Sequence, residues 1–267
     1  MGDFEALFLP EGDGWMPTEA GLGPWGPDLL HGGAVSALAI MLMEDEAHDD
    51  YEAVRYSADF VRALPMTRME GAVRTVRKGQ RLEVLDCELT AGGRLVARCS
   101  LVRVRPQSLT LPEGAPTPSL FGEPPPDTPE AFHAAPAFDP GRTFFVGAGI
   151  EMRVPDPARF GAGVAWYRLM IPTAPGHPPS PTARAAAAAD FGNGISGFRN
   201  EYIPVAFPNA DLVMHLGRQP EGEWVRLQAT SEWRPDGIGL ARGELGDRDG
   251  GIGLSQQSLV LSAAPAR

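Results

Sequence analysis

The residue best suited to chemistry sits at the end of a stretch of alanines. Residues 181–191, PTARAAAAADF, read as a helix with Thr182 near its start and one carboxylate, Asp190, near its end. An ionised carboxylate among apolar neighbours is costly, so it requires partners or a purpose such as general acid–base work. A plainer reading stands beside that one: Phe191-Gly192-Asn193-Gly194 looks like a helix end, and a short polar side chain suits a cap. His31-Gly32-Gly33 opens a second helix. A helix start offers unpaired N–H groups and the positive end of the dipole, which suits an oxyanion. The glycine pair admits close approach of another group, or serves packing alone. His31 is expected to contact the helix start rather than act as a general base. Asn209 follows Pro208, so a turn role competes with a site role, and Asp211 is a rival polar group. Gln256 and Gln257 point to opposite faces of a strand, so only one of them can line a site.

Other constellations are weak or missing. There is no GxSxG elbow around Ser36, no GxGxxG, no GxxxxGK[ST] and no Cys/His cluster with zinc spacing. No metal or cofactor is expected. Cys87 and Cys99 are too few for a disulfide framework and read as buried thiols in a reducing compartment. Lys plus Arg is 23 and Asp plus Glu is 34, giving a net charge of −11. That sign argues against nucleic acid or an anionic membrane as partner. MGDFEALFLP lacks the basic-then-apolar layout of a signal peptide, and the longest apolar run, 37–43, is far too short to span a bilayer. The expectation is a soluble cytoplasmic protein.

The positioning elements follow from the periods. Residues 31–48 are apolar nearly all round, with Val35, Leu38, Ile40, Leu42 and Met43, so this helix is buried. Strands are expected over 51–64, 71–76, 81–89 and 94–105, with Gly92-Gly93 turning a hairpin. Residues 106–140 are dense in proline with no period, and read as a linker wrapping the surface. The expected division is 1–106, a linker over 107–140, and 141–267. The second part repeats the plan, with strands over 147–154, 164–171, 212–216, 224–233, 239–245 and 252–261. CELTAGGRLVARCSLVRV (87–104) matches GELGDRDGGIGLSQQSLVL (243–261), two residues longer in the turn, which places Cys99 opposite Gln257. The chain reads as a duplicated α+β unit, each half an antiparallel sheet round a central helix.

A sheet curled round one apolar helix resembles the hotdog fold, and two in one chain a tandem (double) hotdog. GPWGPDLLHGGAVSALA (23–39), AAADFGNG (187–194), FPNADLVMHLGRQPEGEW (207–224) and LSQQSLVL (254–261) resemble the acyl-CoA thioesterase II family. The resemblance implies a hydrolase of lipid metabolism that takes acyl-CoA and works as a homodimer or higher homo-oligomer. It implies a water activated by Asp190 and positioned by Asn209 and Gln257, with oxyanion donors near Gly32 and Gly33. The family pattern has threonine where this chain has Asn209, and an amide can also donate to and accept from a water. His31, Trp25 and Phe191 would border the substrate. The net charge of −11 does not help recruit an anionic coenzyme, so local arginines, Arg55, Arg62 or Arg74, would have to meet it. The sequence does not choose between base and nucleophile for Asp190, and a non-catalytic acyl-thioester-binding protein of the same fold stands as the alternative.

Overall fold

The computed structural model describes residues 4–115, 123–135, 142–155, 162–197 and 204–263. A short hairpin, β1 (Phe8–Glu11) and β2 (Gly14–Pro17), precedes the first helix, α1 (Gly32–Asp45). Ten of the 14 residues of α1 are buried, as an all-round apolar helix must be. Removing Leu38, Ile40 or Met43 from water stabilises the fold by about 1.5–3 kcal/mol each. Four strands follow: β3 (Glu52–Phe60), β4 (Met69–Lys78), β5 (Leu82–Ala91) and β6 (Arg94–Val104). In β5 the alternation holds: Glu83, Leu85, Cys87 and Leu89 are buried, between neighbours that reach solvent in part. Gly92 and Gly93 have φ of 56° and 72°, the left-handed pair that a two-residue hairpin loop requires. Cys87 and Cys99 face each other across β5 and β6 as buried free thiols. Burial pushes both thiols up, Cys99 to about 12.

The second half contains an edge strand β7 (His133–Ala134), a single turn α2 (Phe145–Ala148), β8 (Ile150–Val154) and β9 (Ala162–Leu169). The strand expected from residue 147 begins only at Ile150, because Gly147 takes φ of 98° inside the turn. Helices α3 (Pro181–Ala189) and α4 (Gly192–Gly197) come next, then β10 (Val205–Ala206), β11 (Asp211–Leu216), β12 (Val225–Trp233), β13 (Ile238–Asp247), β14 (Gly250–Val260) and β15 (Ser262–Ala263). Ser180 caps α3, accepting a hydrogen bond from the Ala183 N–H at 3.1 Å. The longer turn between β13 and β14 is absorbed by a register shift at Leu245/Gly246.

Thirteen strands form one sheet in the order β1-β2-β4-β5-β6-β3-β11-β14-β13-β12-β9-β8-β7. The halves join through β3 and β11, where Ser57 pairs with Val213. Outward from that seam each half repeats the same order, which is the geometry of a tandem hotdog. Residues 116–122 and 136–140 lie outside the described residues. Within 123–135, Asp127 accepts hydrogen bonds from Arg226 Nε and Nη2, both at 2.9 Å, and from Trp166 Nε1 at 2.8 Å. That segment therefore covers Trp166, which is fully buried on β9. Among the described residues no helix is long and apolar enough to cross a membrane.

Candidate active site

The two central helices run antiparallel. Gly33, at the start of α1, lies against Ala187 near the end of α3: a Cβ on Gly33 would sit 3.0 Å from the Ala187 carbonyl oxygen. Glu44 and Asp45, at the other end of α1, share a cavity with Ser180 and Ala183 at the start of α3. The positive end of α1 therefore meets the residue that caps the end of α3, and that residue is Asp190.

Asp190 does cap its helix, its N–H bonded to the Ala186 carbonyl oxygen at 3.1 Å, yet its side chain has further partners. Its carboxylate is 3% exposed and is reached from three other elements. Asn209, just before β11, donates from Nδ2 to Oδ1 at 2.9 Å. Gln257, on β14, donates from Nε2 to the Asp190 carbonyl oxygen at 3.0 Å and to Oδ1 at 3.4 Å. His31 Nδ1, before α1, lies 2.9 Å from Oδ2. A carboxylate has about four acceptor positions, and among the described residues these three partners take two on Oδ1 and one on Oδ2. Gly32 makes the approach possible: a Cβ there would lie 2.8 Å from Oδ2, 2.9 Å from Oδ1 and 2.7 Å from the Phe60 ring. As the first residue of α1, Gly32 has no carbonyl of its own helix to receive its N–H.

His31 Nδ1 is claimed twice. The Gly33 N–H donates to it at 3.1 Å, and Asp190 Oδ2 stands 2.9 Å away. One ring nitrogen carries either a lone pair or a proton, so the two contacts alternate. With a proton on Nδ1 donated to the ionised Asp190, the Gly33 N–H is released. The ring of His31 is fixed by stacking on Phe191, with centroids 4.3 Å apart, and Phe191 stacks in turn on Tyr167 at 4.6 Å.

The structure thus brings together Asp190, Asn209, Gln257, Gly32, Gly33, His31 and Phe191. Trp25 stands further out, 37% exposed, edge-on to Phe207 at 5.4 Å. Gln256 is exposed, so the alternation of β14 selects Gln257. The Asp211 carboxylate is committed elsewhere, accepting from the Ser258 N–H at 2.6 Å and the Ser258 hydroxyl at 2.9 Å. His215 is exposed. Arg74 pairs with Asp86, Arg55 donates to Ser100 and Arg62 to the Leu95 carbonyl oxygen. Sequence reasoning did not foresee the contact of His31 with Asp190 or of Phe60 with Gly32. The adjacency of His31 to the glycine pair was a signal for the first, and nothing local signalled the second.

The sheet order and the meeting of the helices define a tandem-hotdog protein with a buried, amide-bound carboxylate at the junction of its two halves. The sequence profile of the acyl-CoA thioesterase N-terminal domain matches residues 22–104, and that of the acyl-CoA thioesterase C-terminal domain matches residues 124–261. The chain belongs to the acyl-CoA thioesterase family. Solved structures share the fold. One, described as a thioesterase II from Thermobifida fusca, is 17% identical with a TM-score of 0.72, covering 97% of this chain and 96% of the other. Another, described as a thioesterase from Novosphingobium aromaticivorans, is 20% identical with a TM-score of 0.69, covering 96% and 99%. The acyl-CoA thioesterase II TesB2 from Mycobacterium marinum is 15% identical with a TM-score of 0.62, covering 89% and 91%. Comparison with curated proteins finds no match.

Proposed function

We propose that the protein hydrolyses acyl-CoA thioesters, with water as the second substrate and a free acid and coenzyme A as products. The observation that carries this reading is the convergence of Asn209, Gln257 and His31 on one buried carboxylate beside the start of α1. A water held on Asp190 Oδ2 gives its proton to that oxygen as its own oxygen bonds to the thioester carbonyl carbon. The carbonyl oxygen gains negative charge and takes hydrogen bonds from the Gly32 and Gly33 N–H groups. Collapse of the tetrahedral species breaks the C–S bond, and the leaving sulfur takes that proton back from Asp190. His31 carries its Nδ1 proton toward Asp190, which orients the carboxylate and frees the Gly33 N–H for the oxyanion. Asn209 and Gln257 fix Oδ1, so that Oδ2 is the oxygen that works. Phe191 and Trp25 border the acyl group. The enzyme acts in the cytoplasm as a homodimer or larger homo-oligomer, and light scattering that reports a monomer refutes that last element.

The test is thiol release from a panel of acyl-CoAs by the wild type and by Asp190→Ala. A loss of about a hundredfold or more in the variant, the usual scale for removing an acid–base group, supports the reading. Wild-type turnover with an unchanged variant refutes the site. Binding of acyl-CoA with no thiol release by the wild type makes the protein a carrier of acyl thioesters instead.

A further inference from the structure

The second half contains a residue that touches one of the amides on Asp190 and the chain two residues before the other, without touching Asp190 itself. Asn193, in the first turn of α4, is 4% exposed. Its backbone N–H donates to Gln257 Oε1 at 2.8 Å. This contact fixes which end of the Gln257 amide faces Asp190, because the reversed amide would set an NH2 group against an N–H. Gly192 keeps the space open, since a Cβ there would lie 2.7 Å from Gln257 Oε1. The Asn193 side chain makes the second link. Its Oδ1 accepts from the Gly194 N–H at 2.7 Å, and its Nδ2 donates to the Phe207 carbonyl oxygen at 2.9 Å. Phe207 is joined to Asn209 by Pro208 alone, whose ring fixes one torsion between them, so the hold on the Phe207 carbonyl adds to the Val260–Pro208 and Ala210–Ser258 backbone bonds that bracket Asn209.

We infer that Asn193 is a positioning residue that ties Gln257 and Asn209 to Asp190 Oδ1 as one unit. This inference rests on the proposed role of Asp190. Both donors of Oδ1 come from segments that are distant in sequence, and each is anchored by the same asparagine, one through backbone and one through side chain. An amide that drifts from Oδ1 leaves the carboxylate free to rotate, and a displacement on the order of 1 Å at a reacting group costs up to a hundredfold in rate.

The test pairs spectroscopy with kinetics. The Asn209 and Gln257 side-chain NH2 signals are assigned in 1H–15N spectra by their loss in Asn209→Ala and Gln257→Ala. In Asn193→Ala the Asn209 NH2 pair should move toward free-amide positions. The value of kcat should fall about tenfold, with KM within about twofold of wild type. The loss should shrink to less than about twofold when Asn193→Ala is made in an Asn209→Ala background, because the tether then has nothing to hold. Asn193→Asp keeps the shape and the Gly194 acceptor but removes the donor to Phe207, so it should reproduce the defect; it also serves if Asn193→Ala fails to fold. An unmoved Asn209 signal in a folded variant, or a kcat loss that adds fully to that of Asn209→Ala, overturns the inference. Wild-type activity in Asp190→Asn would sink the proposed role of Asp190 separately, and the amide spectra would still decide whether the tether exists.

Discussion

Gly32→Ala tests how closely α1 must approach Asp190. Gly32 has no left-handed backbone requirement, so alanine strains nothing locally and adds helix propensity of up to about 1 kcal/mol. The cost is steric and falls on the site. The new Cβ would stand 2.8 and 2.9 Å from the Asp190 oxygens, short of the 3.4 Å of ordinary contact by about 0.6 and 0.5 Å. On its other side the Phe60 ring stands at 2.7 Å, so the methyl cannot move away from the carboxylate without meeting the ring. Asp190 cannot yield freely, because Asn209, Gln257 and His31 hold it. Strain of about 1–3 kcal/mol is expected, the usual range for one excess methyl in a packed site, offset in part by propensity. A catalytic group tolerates displacement of about 0.5 Å, and about 1 Å costs a hundredfold. The expected loss in kcat is therefore about 10- to 100-fold, or about 1.4–2.7 kcal/mol of barrier. The assay is thiol release under saturating acyl-CoA, with circular dichroism and thermal unfolding to confirm the fold. A folded Gly32→Ala that retains kcat within threefold refutes the placement of the working carboxylate against the start of α1.

Two further predictions concern stability and pH. Glu44 lines a cavity of about 160 Å³ between the end of α1 and the start of α3. Burial pushes its carboxyl above the ordinary 4.5, against hydrogen bonds from Ser180 and Thr182. A raised folded value means that the ionised form destabilises the fold at neutral pH. Glu44→Gln should therefore unfold at higher urea concentration than wild type at pH 7, and the gain should vanish as pH falls below about 4.5; an unchanged midpoint at pH 7 refutes it. Asp247 is fully buried; burial raises its carboxyl, but the bidentate Arg218 pair at 2.5 and 2.6 Å and the Glu221 and Asp249 N–H groups outweigh this and hold it below the ordinary 3.8. Its stabilisation is present above 3.8 and lost as pH falls through the lower folded value. Asp247→Ala should cost about 3 kcal/mol at pH 7, with the gap to wild type closing in acid, and urea unfolding across a pH series checks both.

Several features of the protein were legible in sequence because their causes are local. An all-round apolar helix such as 31–48 can only be buried, and α1 is. Alternation set the inward face of β5 and separated Gln257 from Gln256, since strand periodicity is a property of neighbouring residues. Two glycines between alternating runs announced the hairpin at Gly92-Gly93. The matching of 87–104 with 243–261 exposed the duplication and hence the paired hotdogs. The lone carboxylate in an alanine helix marked Asp190 as a residue needing partners, though not which ones.

Those partners were decided by tertiary structure. His31 and Asp190 are 159 positions apart, and they meet because α1 and α3 pack antiparallel with Gly33 against Ala187. No periodicity encodes which end of one helix faces which end of another; that follows from the β3–β11 seam, which sets the two halves in register. The burial of Trp166 beneath Asp127, the closeness of Phe60 to Gly32 and the double hold of Asn193 have the same origin. Each joins segments far apart in the chain, and the free energy that brings them together belongs to packing of the whole sheet over both helices. The sequence by itself established what kind of elements this protein has and which residues could do chemistry. Only the folded sheet decided which of those residues touch.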